Sequence, residues 1–165
     1  MKHTSIAIAL FSALLCGQVA AQGAKPIPTR YGNLTSGSDG QLHFKGRAIQ
    51  SPILYEGSAA NQPLARFAIG TSDVILFQQA QGRLCPGNFS FVTVTARGAR
   101  ASRYFGSCHG DYEEPVQSGD TVIFAMPGAE GRGTVTFIWK DGAVLRDGKP
   151  LESTANEGRP WTPSY

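Results

Sequence analysis

Charge is scarce in this chain. Of its 165 residues 16% are Asp, Glu, Lys or Arg, and 15 basic against 12 acidic side chains leave a formal net charge of +3. So small an excess excludes the strongly basic balance of a nucleic-acid-binding domain. A hydrophobic fraction of 41% excludes a disordered polyampholyte. No amphipathic stretch of helical length and no internal repeat can be found, which excludes a helical bundle, a coiled coil and a solenoid. The chain is also too short for the two βαβ halves of a dinucleotide-binding enzyme. Histidine is rare, with three, and cysteine equally so. No GxSxG elbow and no CxxC pair occurs. What is abundant is the residue pair that punctuates short strands, with 20 Gly and 10 Pro.

The one long apolar run opens the chain. In MKHTSIAIALFSALLCGQVAAQ, Lys2 and His3 precede the run Ile6 to Leu15, and Val19-Ala20-Ala21 offers the small residues a signal peptidase accepts before Gln22. The run is too short for the roughly 20 residues that cross a bilayer, and no later stretch approaches that length. Leu15 stands where a lipoprotein signal needs a small residue before Cys16, which argues against a lipid anchor. Residues 1–21 therefore read as a signal peptide, and the mature chain as soluble and periplasmic or secreted. Their removal takes away one Lys and no acid, so the formal net charge falls from +3 to +2.

Cleavage would leave two cysteines, Cys85 and Cys108, in an oxidising compartment where an even count reads as a disulfide. By the chain-entropy estimate, a bridge closing about 24 residues stabilises the fold by about 3.4 kcal/mol. A metal site or redox pair is the weaker reading, because Cys108-His109 supplies one adjacent imidazole and nothing more.

Residues 22–33 are Pro-rich and aperiodic and read as a flexible tether; residues 34–151 read as one β domain. Short strands are expected near Leu42 to Ile49, with a turn at Lys45-Gly46, at Leu64 to Ile69 and at Val74 to Gln79. The clearest is Asn88 to Arg97. Phe89, Phe91, Thr93 and Thr95 share one face, and Ser90, Val92, Val94 and Ala96 the other. Neither face is strongly polar, so this strand is expected to be buried on both sides. Gly98-Ala99 then turns the chain into Arg100 to Phe105, a hairpin whose open end the two cysteines would clamp. Further strands follow at Thr121 to Met126, Gly133 to Lys140 and Ala143 to Arg146. Asp141-Gly142 and Asp147-Gly148 form tight turns, because Gly tolerates the positive φ such turns demand. Residues 152–165 read as a mobile tail. The fold class is all-β, a small antiparallel β-sandwich or barrel with one disulfide.

Catalytic sets are thin. Once residues 1–21 are removed, His43 and His109 are the remaining imidazoles, and both read as surface residues beside turns. Asp111, Glu113 and Glu114 crowd one loop rather than opposed walls of a cleft, and they lack the spacing of a calcium loop. The most suggestive feature is TARGARASRYF, with Arg97, Arg100, Arg103 and Tyr104 as candidate binding residues. Alternation puts Arg103 and Arg100 on opposite faces, whereas Arg97 and Arg100 flank the turn and can project together from its tip. Such a tip, with a nearby Tyr104, is the kind of anchor that enters an acidic cleft.

The stretch CPGNFSFVTV…GARASRYFGSC…GDTVIFAMPG, within residues 85–128, resembles a pattern in short exported proteins of Gram-negative bacteria. That resemblance implies an exported β domain with a disulfide and implies no activity. A fainter likeness is to the periplasmic lysozyme inhibitors, disulfide-stapled β-barrels with a Ser-Gly-Ala-Arg-Tyr-like loop. Gly98-Ala99-Arg100 is the nearest match, with Tyr104 displaced and Arg97 where the Ser would stand. The sequence thus points to an exported noncatalytic binding domain that requires no cofactor. Its candidate partner is an envelope-acting hydrolase or toxin. The alternatives are a small metal-dependent hydrolase using His43, His109 and Asp111, and a carrier of a small apolar ligand.

Overall fold

A computed structural model describes residues 24–50, 53–55, 61–81, 85–107, 109–128 and 131–151. The proposed signal peptide, the C-terminal tail and Cys108 lie outside them, as does the side chain of Cys85. The described chain is all-β and antiparallel, three meanders in sequence order with no α-helix among them. No sheet closes on itself, so the barrel alternative does not hold.

The N-terminal sheet consists of β1 (Ile27–Thr29), β2 (Gly32–Ser36), β3 (Leu42–Phe44) and β4 (Arg47–Ala48). The structure differs here from the expectation of a tether over 22–33, because β1 and the start of β2 occupy it. Pro28 is compatible with this because β1 is an edge strand, where a missing N–H removes no ladder bond. The central sheet runs β5 (Asn61–Ile69), β6 (Ser72–Gln81), β7 (Cys85–Thr95), β8 (Gly98–Ala101), with β9 (Phe105–Gly106) also paired to β7. The C-terminal sheet is β10 (Val116–Ser118), β11 (Thr121–Pro127), β12 (Thr134–Lys140), β13 (Ala143–Arg146) and β14 (Lys149–Pro150).

The central sheet is the middle layer. Val74, Leu76, Phe89, Phe91 and Phe105 face the C-terminal sheet and pack on Val122, Phe124, Met126, Phe137 and Trp139. Ile75, Phe77, Val92, Val94 and Ala101 face the N-terminal sheet and pack on Ile27, Leu34, Leu42, Phe44 and Ile53. This is why Val74-Ile75-Leu76-Phe77 is an unbroken apolar run: all four side chains are fully buried, two on each face. A strand solvated on one face would alternate. The two-sided burial expected of the strand after Asn88 holds for the same reason.

The Asp-Gly turns form as expected. Asp141 and Gly142 have φ of 50° and 82°, and Asp147 and Gly148 have φ of 48° and 79°. Positive φ at both central residues matches the right-handed twist of the strands they join. Lys45 and Gly46 make the same turn between β3 and β4. The hairpin of β7 and β8 turns two residues earlier than expected, at Ala96-Arg97, closed by the pair Thr95↔Gly98. Its return arm is also not continuous. The Ser102 amide still donates to the Phe91 carbonyl at 2.7 Å, but its hydroxyl takes the Phe91 amide at 2.9 Å in place of a backbone carbonyl, and β9 resumes the pairing one register step later.

Candidate functional site

The early turn places Arg97 at the tip of the β7–β8 hairpin and Arg100 on its return arm opposite Thr93. Paired residues share a face. Thr93 accepts a hydrogen bond from Trp139 Nε1 at 3.1 Å, so the Thr93–Arg100 face is the one turned toward the C-terminal sheet. There the hairpin meets the Asp141-Gly142 turn. Between them lies an open groove of about 330 Å³, with Thr93 and Thr95 as its floor, Arg97 and Arg100 on one wall and Asp141 on the other.

The tip is held by local bonds. Thr95 Oγ1 accepts from the Arg97 amide at 3.3 Å and donates to the Gly98 carbonyl at 3.3 Å. Lys45 reaches across from the N-terminal sheet, and its ammonium donates to the Ala96 carbonyl at 3.5 Å. Arg100 is also tied at the backbone, through a parallel bridge to Gln50. The tip therefore presents Lys45, Arg97 and Arg100, all exposed, with Asp141 as the near carboxylate. Among the residues lining the groove there is no His, Cys or Ser, and the Thr93 hydroxyl already accepts a bond from Trp139. Such a site is suited to recognising anions by guanidinium forks.

Arg97 and Arg100 are thus brought together, whereas Arg103 and Tyr104 are not among the residues lining the groove. They fall in the irregular link between β8 and β9, with Arg103 exposed and Tyr104 half-buried. Burial raises the Tyr104 hydroxyl above the usual tyrosine range. The approach of Lys45 and Asp141 to the hairpin tip was not legible. The Lys45-Gly46 and Asp141-Gly142 signals reveal turns, but which turns meet is a matter of how the three layers stack.

The residues of the hydrolase alternative are dispersed. His43, on β3, lies 3.1 Å and 3.2 Å from the two Asp39 carboxylate oxygens. The Gln41 amide, foremost, and His43 hold that carboxyl below its ordinary range. His109 sits beside β7 instead, where a side chain at Gly87 would collide with its carbonyl oxygen. Asp111, Glu113 and Glu114 are exposed on the loop that follows. Among the described residues no group of three or more His, Cys, Asp and Glu is placed to hold a metal ion. No helix among them is long and apolar enough to cross a membrane. Compared with protein-family models, curated proteins and solved structures, the chain matches none.

Proposed function

We propose that the chain is an exported, noncatalytic binding domain whose Arg97–Arg100 tip enters the acidic cleft of an envelope-acting hydrolase or toxin. The observation that carries this reading is that Arg97 and Arg100, both exposed, line the same groove. They sit on a hairpin backed by a fully packed sheet, so little conformational freedom is lost on binding. Cell-wall glycosidases carry paired carboxylates flanking the scissile bond, the anionic target that Arg forks fit best. The faint likeness of Gly98-Ala99-Arg100 to the lysozyme-inhibitor loop favours the same class of partner.

The test is affinity capture from native envelope extract, followed by assay of the captured hydrolase with and without the domain. Arg97→Ala with Arg100→Ala should weaken capture and inhibition at least about a hundredfold, as expected for two interface anchors, and leave the melting temperature unchanged. Capture that survives the double substitution removes the tip as the interface. A partner with no hydrolytic or toxic activity removes the class.

The same reading removes residues 1–21 on export and joins Cys85 to Cys108. Support for the bridge comes from the neighbouring backbone: Asn88 pairs with Gly106, and the His109 carbonyl abuts Gly87, so the segments flanking the two cysteines run together. Intact mass of the exported chain should equal residues 22–165 less two hydrogens. Two thiols alkylated in denatured, unreduced protein would sink the bridge, and retention of residues 1–21 would sink the signal.

A further inference from the structure

The outer face of the C-terminal sheet breaks the rule its inner face obeys. A sheet packed on one side should alternate apolar-in with polar-out. Inward, Val122, Phe124, Phe137, Trp139 and Val144 comply. Outward, the register aligns Val116 with Ile123, Ile123 with Ile138, Ile138 with Leu145, and Leu145 with Pro150. An apolar row therefore crosses all five strands without a polar interruption. Val116 is 59% exposed and Ile123 36%, two of the most exposed large apolar side chains in the described structure.

The charges beside this row are arranged with a symmetry of their own. On β12, Lys140 lies two residues to one side of Ile138 and Thr136 two residues to the other, all on the outward face. The Thr136 amide donates to Asp147 Oδ1 at 2.9 Å, which fixes that carboxylate at the second flank. Asp147 also lies 3.8 Å from the Arg146 guanidinium, on an exposed and therefore weak pair. A half-turn about an axis along the apolar row lays the row of one copy on that of another. The same rotation sets each Lys140 over the opposing Thr136–Asp147 flank, twice by symmetry.

We infer that this face is the interface of a homodimer, joined row on row with reciprocal Lys140–Asp147 contacts. With strands about 4.8 Å apart and up to five residues covered on β11 and β12 but only three, four and two on β10, β13 and β14, the face offers roughly 300 Å² per copy. That lies below the size of a stable interface, so the dimer is weak, transient and concentration-dependent. No residue of the row lines the hairpin groove, and the inference stands apart from the binding reading.

Sedimentation velocity of the chain from Gln22 onward, which contains every described residue, tests it across a concentration series. A reversible monomer–dimer equilibrium is expected. Ile123→Lys should abolish it, since two like charges would meet in the apolar row. Lys140→Glu should weaken it about tenfold, and adding Asp147→Lys should restore it. Lys45 holds the same positive-φ turn position as Asp147, so a lysine there is sterically compatible. A wild-type chain that stays monomeric to about 1 mM overturns the inference. So does a dimer indifferent to both Ile123→Lys and Lys140→Glu. A dimer that forms only when residues 152–165 are removed also overturns it, and assigns the face to that tail.

Discussion

The two faces of the central sheet are glued by different means. Toward the C-terminal sheet the buried contact is aromatic. Phe89, Phe91, Phe105, Phe124, Phe137 and Trp139 share one cluster, with ring centroids 4.7 Å apart for Phe89–Phe124 and for Phe105–Phe137. Toward the N-terminal sheet it is mostly aliphatic, and polar ties supplement it. Arg30 clamps Asp73, and the Gln79 side-chain amide donates to the Leu54 carbonyl at 3.0 Å. Strand length explains the contrast. β11 and β12 have seven residues each and present three buried side chains apiece, whereas β1, β3 and β4 have three, three and two. Stabilisation by burial scales with apolar area. A layer of short strands therefore leans more heavily on directed bonds than a layer of long strands, although Trp139 also reaches Thr93 across the aromatic side.

The largest expected effect follows from the aromatic side. Phe105 belongs to a strand of two residues, yet its ring lies within 6.2 Å of Phe89 and Phe124, 5.3 Å of Phe91 and 4.7 Å of Phe137. Phe105→Ala should cost about 4 kcal/mol of unfolding free energy in a denaturant titration, as large-to-small changes at crowded aromatic sites do. Phe77 is as deeply buried on the other face, but among the described residues its one aromatic ring neighbour is Tyr55, at 6.0 Å. Phe77→Ala should cost about 1 kcal/mol less, because fewer aromatic contacts are lost with it. Equal losses at the two positions would break the comparison.

How much of this was legible depends on the range of the signal. The tight turns at Lys45-Gly46, Asp141-Gly142 and Asp147-Gly148 are local and could be read from residue type. So could the alternation of Val135, Phe137 and Trp139, since a period of two needs no partner to be visible. Two-sided burial of β7 was legible because Ser90 to Ala96 offers no charged face. The strand at Ile27–Thr29 was not, because Pro28 within it and Pro26 just before it mask an edge strand that a neighbour nevertheless accepts. Nor was the shift of the hairpin turn to Ala96-Arg97. Gly98 invites a turn, but the Lys45 ammonium and the Thr95 hydroxyl bind the tip as it stands, and Lys45 is remote in sequence. The choice of three layers over a two-layer sandwich or a barrel is of the same kind. The apolar run of β6 and the uncharged faces of β7 mark strands covered on both sides, but which meander covers which face is written in neither. Arg97 and Arg100 could be nominated together; the Asp141 wall facing them could not.

A smaller but more local effect is expected on the polar side. Asp73 is 3% exposed and accepts from the Arg30 amide at 2.7 Å and from Arg30 Nε at 2.6 Å. The same guanidinium also donates to the carbonyls of Gly70, at 3.0 Å, and Ser72. Next to it the Tyr31 hydroxyl donates to the Thr71 carbonyl at 2.7 Å. The turn between β1 and β2 is in this way tied to the turn between β5 and β6. Asp73→Ala leaves the Arg30 amide without its acceptor and should cost about 2 kcal/mol, less than Phe105→Ala. Its signature is spatial. Amide exchange should quicken in β1 and β2 while β11 and β12 keep their protection, because the loss falls on one layer's attachment and not on the shared core. Uniform loss of protection across all three sheets would mean that the layers do not open separately, and the contrast between the two faces would then be one of composition alone. Asp73→Asn retains one acceptor oxygen but sets an NH2 against one of the two Arg30 donors. A cost well below that of alanine means that one of the two bonds holds the clamp, and an equal cost means that both are needed.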